Sequence, residues 1–254
     1  MRSAGSLPTL DTHAHIRHTH PVVELSNCGA VLAMTVSLEE ASHAIVRNDE
    51  TILWGVGCHP GEVHAQRDFD EHVFRKLIAH TPIVGEVGLD RRSHVPFDVQ
   101  MRTFRAILSI VADEPRIVSI HSNHATAEVL EELARRPIPV AVLHWWSASN
   151  ARTKAAVQLG CFFSINPAIA EHSRFARYVP IDQVLFETDH GYDDPPAGIP
   201  AKIESTERAV AGKYLIDSAL LRQKVWSTFR QAAEKTNTAA QFTDPLRRFF
   251  GAEQ

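Results

Sequence analysis

The stretch LDTHAH at residues 10–15, read together with VGEVGLD at 84–90, VSIH at 118–121, VLHWW at 142–146 and LFETD at 185–189, decides the fold. In each, a short run of aliphatic and β-branched residues gives way to a histidine or a carboxylate: His13 and His15, then Glu86, His121, His144 and Asp189. Such runs favour strands, because branched side chains pack well on a pleated, buried surface. In a closed parallel barrel the carboxyl ends of all strands open on one mouth, so residues far apart in sequence share one site. The expected architecture is an α/β fold of the (β/α)8 TIM-barrel type.

Working outward, apolar runs alternate with segments of helical period along the whole chain, and no low-complexity linker interrupts them. Strands are expected near Leu7 to Thr12, Ala30 to Val36, Ile52 to Val56, Ile83 to Glu86, Ile117 to Ile120, Val140 to Leu143, Cys161 to Ile165 and Val184 to Glu187. Ser37 with Glu40 forms a capping-box pattern before a helix reaching Val46. Further helices are expected over Asp68 to Ala79, Phe97 to Ala112, Ala125 to Arg135 and Asn150 to Leu159. In the second of these Phe104, Ile107, Leu108 and Val111 make one apolar stripe. Asp193-Asp194-Pro195-Pro196 breaks the chain before two closing helices, Ala201 to Lys213 and Ser218 to Thr236. Phe242, Leu246, Phe249 and Phe250 in the tail are expected to dock on the outside of the barrel.

A chain of 254 residues with 44% hydrophobic content is large enough for one well-buried core, and a single domain spanning 1–254 is the expectation. Cys28, Cys58 and Cys161 are odd in number and widely spaced, which fits reduced thiols in a cytoplasmic protein better than a disulfide framework. The beginning MRSAGSLP has no signal-peptide pattern, and no apolar run approaches the roughly 18 residues a membrane span needs. A formal charge of −4 does not advertise a nucleic-acid binder. Two bound divalent ions, however, would add about four positive charges at one cleft, and local potential governs capture of an anion more than the global sum does.

Residues two apart on a strand face the same side, so His13 and His15 can bind one ion together, with Asp11 placed to orient a ring. Glu86 sits in the apolar run IVGEVGLD, where an unpaired carboxylate would be costly, and its two oxygens can serve two cations. Asp189 follows the eighth strand, which in a closed barrel lies beside the first. That position suits a ligand that also takes a proton from an activated water.

In motif order the chain resembles the TatD-like metal-dependent deoxyribonucleases, part of the wider amidohydrolase-type barrel group. The motifs are DTHAH at 11–15, GVGCHP at 55–60, GEVGLD at 85–90, Gln100 with Phe104, IH at 120–121, LH at 143–144 and ETD at 187–189, with a weaker echo in TNTAAQF at 236–242. The resemblance implies a barrel in which His13, His15, Glu86 and Asp189 hold one divalent ion (zinc, magnesium or manganese), while Glu86, His121 and His144 hold a second. It implies two-metal hydrolysis of DNA phosphodiester bonds, on single strands or at ends, with Glu86 shared and Asp189 accepting the proton. His59 is then expected near the phosphate. Because some TatD-like proteins occur in antiphage defence operons, protein partners of such a system belong to the same expectation.

Departures from the family pattern surround this centre. Asn123 stands where an arginine two residues after the histidine is usual, and Arg91 and Arg92 follow GLD where aromatic residues are common, so one of them is expected to supply the lost positive charge at the substrate. Trp145 and Trp146 follow His144, and an exposed indole there could stack on a base. The loop after Asp189, with His190, Asp193 and Asp194, is more acidic than the family's. Two other readings stay open. One is a related hydrolase acting on another phosphoester, an amide or a lactone, although Lys76, Lys154, Lys202, Lys213, Lys224 and Lys235 all fall on expected helices or nearby loops rather than at strand ends. The other is a binding or scaffold subunit.

Overall fold

The computed structural model describes residues 7–26, 28–172, 174–191, 200 and 203–250. Eight parallel strands are present: β1 (Leu10–Ala14), β2 (Ala30–Met34), β3 (Ile52–Gly55), β4 (Ile83–Gly88), β5 (Ile117–His121), β6 (Val140–Leu143), β7 (Phe162–Ile165) and β8 (Val184–Phe186). They pair in sequence order as β1-β2-β3 and β4-β5-β6-β7-β8. A parallel bridge between Val56 and Val84 joins the two groups. Just beyond β8 the chain returns to β1 through Asp189 N–H donating to His13 O (3.0 Å) and His15 N–H donating to His190 O (2.6 Å). The result is the expected (β/α)8 barrel with its carboxyl ends gathered at one mouth.

Strand interiors are uniformly buried, as helices on the outside of a parallel sheet require. The stripe on the helix Phe97–Asp113 is buried as its period implies, with Phe104, Ile107, Leu108 and Val111 all inside. Ser37 caps the helix Leu38–Ala44 by accepting the Glu40 N–H, and the Glu40 carboxylate reaches back to the N–H of Val36 at 2.7 Å. Phe242 and Leu246 are buried, and Phe249 lies 5.1 Å from the ring of Trp226, so the tail docks as expected.

Several boundaries differ from the sequence expectation. β1 begins at Leu10 instead of Leu7 and runs to Ala14, which puts His13 inside the strand and His15 just after it. β4 continues past Glu86 to Gly88, so this carboxylate projects from within the strand rather than from its end. The helix expected from Asp68 starts at Glu71, because Asp70 is the residue that caps it by accepting the Val73 N–H. Short helices at Val22–Leu25, Val63–Arg67 and Pro167–His172 were not legible as periodic segments, being only a turn or so long. The first closing helix is Glu204–Tyr214, while Asp193, Asp194, Pro195, Pro196 and Lys202 lie outside the described residues.

Two motif glycines are required by close approach. A Cβ on Gly57 would stand 1.7 Å from Thr35 O and 2.6 Å from Glu86 N, and one on Gly88 (φ +143°) would stand 2.1 Å from His121 O. Both keep neighbouring strand ends tight around Glu86.

Candidate active site

Glu86 is the centre of the site. Its amide donates to Thr35 O at 3.0 Å, and its side chain, 1% exposed, enters a group of imidazoles. The two carboxylate oxygens face different histidines. Oε2 lies 3.1 Å from His15 Nε2 and 3.4 Å from His13 Nε2. Oε1 lies 2.6 Å from His121 Nδ1, 2.7 Å from His144 Nε2 and 3.5 Å from His59 Nε2. Asp189 Oδ1 joins the first set, 3.5 Å from His13 Nε2 and 3.7 Å from His15 Nε2.

The far nitrogens of two of these rings meet oxygens: His13 Nδ1 is 2.8 Å from Ser119 Oγ and His121 Nε2 is 3.1 Å from Asp90 Oδ2, while His144 Nδ1 stands 3.8 Å from Glu187 Oε1, beyond hydrogen-bond distance. An oxygen behind the ring sets the tautomer and turns the near nitrogen's lone pair inward, the arrangement that suits metal-binding histidines. Near nitrogens also face one another, His13 and His15 at 3.3 Å and His121 and His144 at 3.2 Å. Lone pairs so close and so buried repel unless a proton or a cation lies among them. Imidazole nitrogen with carboxylate oxygen is a donor set that suits divalent ions. The residues present therefore fit bound metal.

The electrostatics follow from burial. Burial and the neighbouring His144 push His13 well below its ordinary range. Burial alone would lower His144 too, but the carboxylates of Glu86 and Glu187 outweigh it and hold that imidazolium well above the usual value. Against its own burial, Glu86 is held well below the carboxylate range by His59, His144 and His121. Burial pushes Asp189 up to about 7, against the pull of His144.

His59 is fully buried and its Nδ1 accepts the Gly61 N–H at 3.0 Å. In the neutral ring this leaves Nε2 as a donor, suited to an anion's oxygen. Asp11 does not orient a histidine ring. It accepts the backbone N–H of His13 and both the N–H and the hydroxyl of Thr188 (2.6 Å), tying β1 to the segment after β8. Ser119 takes the ring-orienting part for His13, and a lone serine in VSIH carries no sequence signal for it. Glu187 in ETD is fully buried and accepts the N–H of Trp145 at 2.7 Å.

A cavity of about 440 Å³ opens on the centre and is lined by His59, Glu86, His121, His144 and Asp189, together with the loops after β5 and β6. The tryptophan pair divides. Trp145 is 44% exposed and lines the cavity, while Trp146 is core, donating to Thr153 Oγ1 and packing on Phe163. Trp145 and Asp189 both have left-handed backbones, φ 42° and 51°. For bulky or branched residues such conformations cost on the order of 1–3 kcal/mol and concentrate at functional sites.

Neither Arg91 nor Arg92 lines the cavity, contrary to expectation. Arg91 is paired with Glu128 and lies over the Phe97 ring at 4.1 Å, and Arg92 is exposed. Asn123, in the arginine's place, donates to both oxygens of Asp90 at 3.2 and 3.3 Å. Against its partial burial, hydrogen bonds from His121, the Arg92 amide and Asn123 hold Asp90 at about 2, so it stays a charged acceptor behind His121. Among the described residues the one arginine on the cavity lining is Arg152, which no motif in the sequence singled out.

The family model described as TatD related DNase matches residues 10–235. The chain belongs to the TatD-related DNase family. It is a TatD-type metal-dependent hydrolase, and its histidine and carboxylate clusters support the use of divalent metal. It is 30% identical over 179 residues to a Musicola paradisiaca protein named 3'-5' ssDNA/RNA exonuclease TatD, covering 64% of this chain and 67% of that protein. It is 28% identical to YcfH of Escherichia coli K12, named as an uncharacterized metal-dependent hydrolase, covering 65% and 66% respectively. The match therefore spans about two thirds of these relatives. The crystal structure of YjjV, a TatD homologue from Escherichia coli K12, superposes with a TM-score of 0.74 at 18% identity, over 88% of this chain and 97% of that one, and shares the fold. Among the described residues no helix is long and apolar enough to cross a membrane.

Proposed function

We propose that the protein is a two-metal deoxyribonuclease that hydrolyses phosphodiester bonds of DNA at single-stranded stretches or ends. The observation that carries this reading is the division of Glu86, with Oε2 toward His13 and His15 and Oε1 toward His121 and His144. One ion would be held by His13, His15, Glu86 and Asp189, the other by Glu86, His121 and His144. Bound there, zinc, manganese or magnesium supplies an acidified water and positive charge for the phosphate. Asp189, whose carboxylate lies at the edge of the first set, 3.5 Å from His13 Nε2, would accept the water's proton. His59 offers Nε2–H to a phosphate oxygen. Asp90 keeps His121 turned toward Glu86, and Glu187 places a carboxylate near His144.

Trp145 supports the single-stranded preference, because a stacking platform needs a base free of its duplex partner. The name of the Musicola relative supports the same preference. Three free thiols support a reducing, cytoplasmic setting.

The test is metal analysis of the purified protein together with turnover of labelled single- and double-stranded DNA, for wild type and Asp189→Asn. Metal-dependent cleavage lost in the variant is expected. No cleavage with any divalent ion overturns the nuclease reading, and bound metal with ester or amide turnover instead favours an amidohydrolase.

A further inference from the structure

The cavity lining has two chemistries. One part is the cluster around Glu86. The other, from the segments after β5 and β6 and the helices they lead into, is rich in hydroxyls (Ser122, Thr126, Ser147 and Ser149) and, among the described residues, contains a single guanidinium, that of Arg152, and one exposed aromatic, Trp145. Among the described residues the only carboxylates on the lining are those of Glu86 and Asp189, at the histidine cluster. An arginine on the part of the lining formed by the segments after β5 and β6, apart from the cluster around Glu86, has no use for a lactone, an amide or a substrate with one phosphate. It does have a use for a ligand that carries another negative charge at a fixed distance from the reacting one.

Arg152 is available for that charge. Glu128, the carboxylate that feels its field, is already engaged by Arg91 through Nε at 3.1 Å and through Nη2. Among the described residues Arg152 has no carboxylate partner within ion-pair distance, and it is exposed. It stands in the first turn of the helix Asn150–Gln158, which contains no acidic residue in that turn and is capped by Ser149. The surrounding field therefore favours an anion on this side of the cavity. Trp145, in the segment between β6 and that helix, offers a surface for a base of the same strand.

We propose that Arg152 binds a phosphate adjacent to the scissile one, so that the substrate is a chain with two or more consecutive phosphodiesters and not an isolated phosphoester. This rests on the nuclease reading. Arg152 thus gives the cavity a cation that Asn123 does not, from the helix after β6 and not from the segment after β5.

The experiment is a substitution interference series on a metal-loaded protein. A labelled single-stranded oligonucleotide carries one neutral methylphosphonate at each linkage in turn, and kcat/KM is compared for wild type, Arg152→Ala and Arg152→Lys, with bis(p-nitrophenyl) phosphate as a one-phosphate substrate. Neutralising one linkage next to the cut should cost wild type about tenfold, the scale of one charge-assisted contact, and cost Arg152→Ala almost nothing more. Arg152→Ala should lose about tenfold more on the oligonucleotide than on the one-phosphate substrate, and Arg152→Lys should recover part of that difference. Equal losses on both substrates, or additive effects of the variant and the methylphosphonate at every linkage, overturn the subsite alone. No cleavage of the unmodified strand by wild type overturns the nuclease reading and the subsite with it.

Discussion

Glu86→Gln tests the centre most directly. The carboxylate shares its oxygens between two histidine groups at 2.6 to 3.4 Å, whereas a glutamine has one oxygen and one NH2. Whichever way the amide turns, one metal position faces donor hydrogens and the other keeps a neutral, weaker ligand. The readout is the rise in Tm on metal loading. At free metal about 1,000 times Kd, one ion bound only to the folded state stabilises it by roughly 4.1 kcal/mol. An unfolding entropy of about 2.1 cal/mol/K per residue gives a chain of this length about 0.5 kcal/mol/K, so each ion raises Tm by about 8 °C and two by about 15 °C. Glu86→Gln should cut the rise to a few degrees, with an unchanged far-UV circular dichroism spectrum at 20 °C. Asp189→Asn, which belongs to only one of the two sets, should lose about half. Calorimetry across a metal titration measures both. If Glu86→Gln keeps the full rise, or loses only what Asp189→Asn loses, the two-ion assignment is wrong.

Three further outcomes follow from particular groups. Metal ligation requires deprotonated donors, burial pushes Asp189 up to about 7, and Glu86 holds His15, His121 and His144 above the ordinary imidazole value against their burial, so metal affinity should rise with pH through neutrality, and binding should release more protons at pH 6 than at pH 8. Calorimetry in buffers of different ionisation enthalpy reads this, and equal release at both pH values refutes it. Replacing Arg91 and Arg92 together by alanine should leave DNA turnover within about twofold, because an exposed pair such as Arg91 with Glu128 contributes little and neither arginine reaches the cavity. A large loss, with a shallower salt dependence, would restore them as phosphate contacts. Burial pushes the thiols of Cys58 and Cys161 up to about 12, leaving almost no thiolate at pH 8. Both should resist a thiol reagent in the folded protein and react promptly in denaturant, and fast labelling of either in the native state would show that its surroundings open.

The barrel was legible because the strands are continuous apolar runs and the ligand residues recur at their carboxyl ends. The limits of strand ends were less legible. Leu7 and Leu10 are equally apolar, and only pairing of Leu10 with Ala30 chooses where β1 starts. Glu86 reads as a strand end because a charge follows apolar residues. In the folded chain the strand runs on to Gly88, and imidazoles from four other strands or their ends surround the carboxylate. Arg91 and Arg92 looked like the compensating charge from chain proximity to GLD, but the helix carrying Glu128 captures Arg91 from outside the mouth.

The sequence alone determined the fold class, the ligand types and their order, since strand periodicity and donor chemistry are local properties. Set against the pattern of the family it resembles, it also marked Asn123 as a missing cation. Only the tertiary structure decided which oxygen of Glu86 meets which histidine, that Ser119 and not Asp11 backs His13, that Trp145 is open while Trp146 is core, and that Arg152 enters the cavity. These depend on strand pairing, loop paths and burial, which bring together residues that share no spacing along the chain.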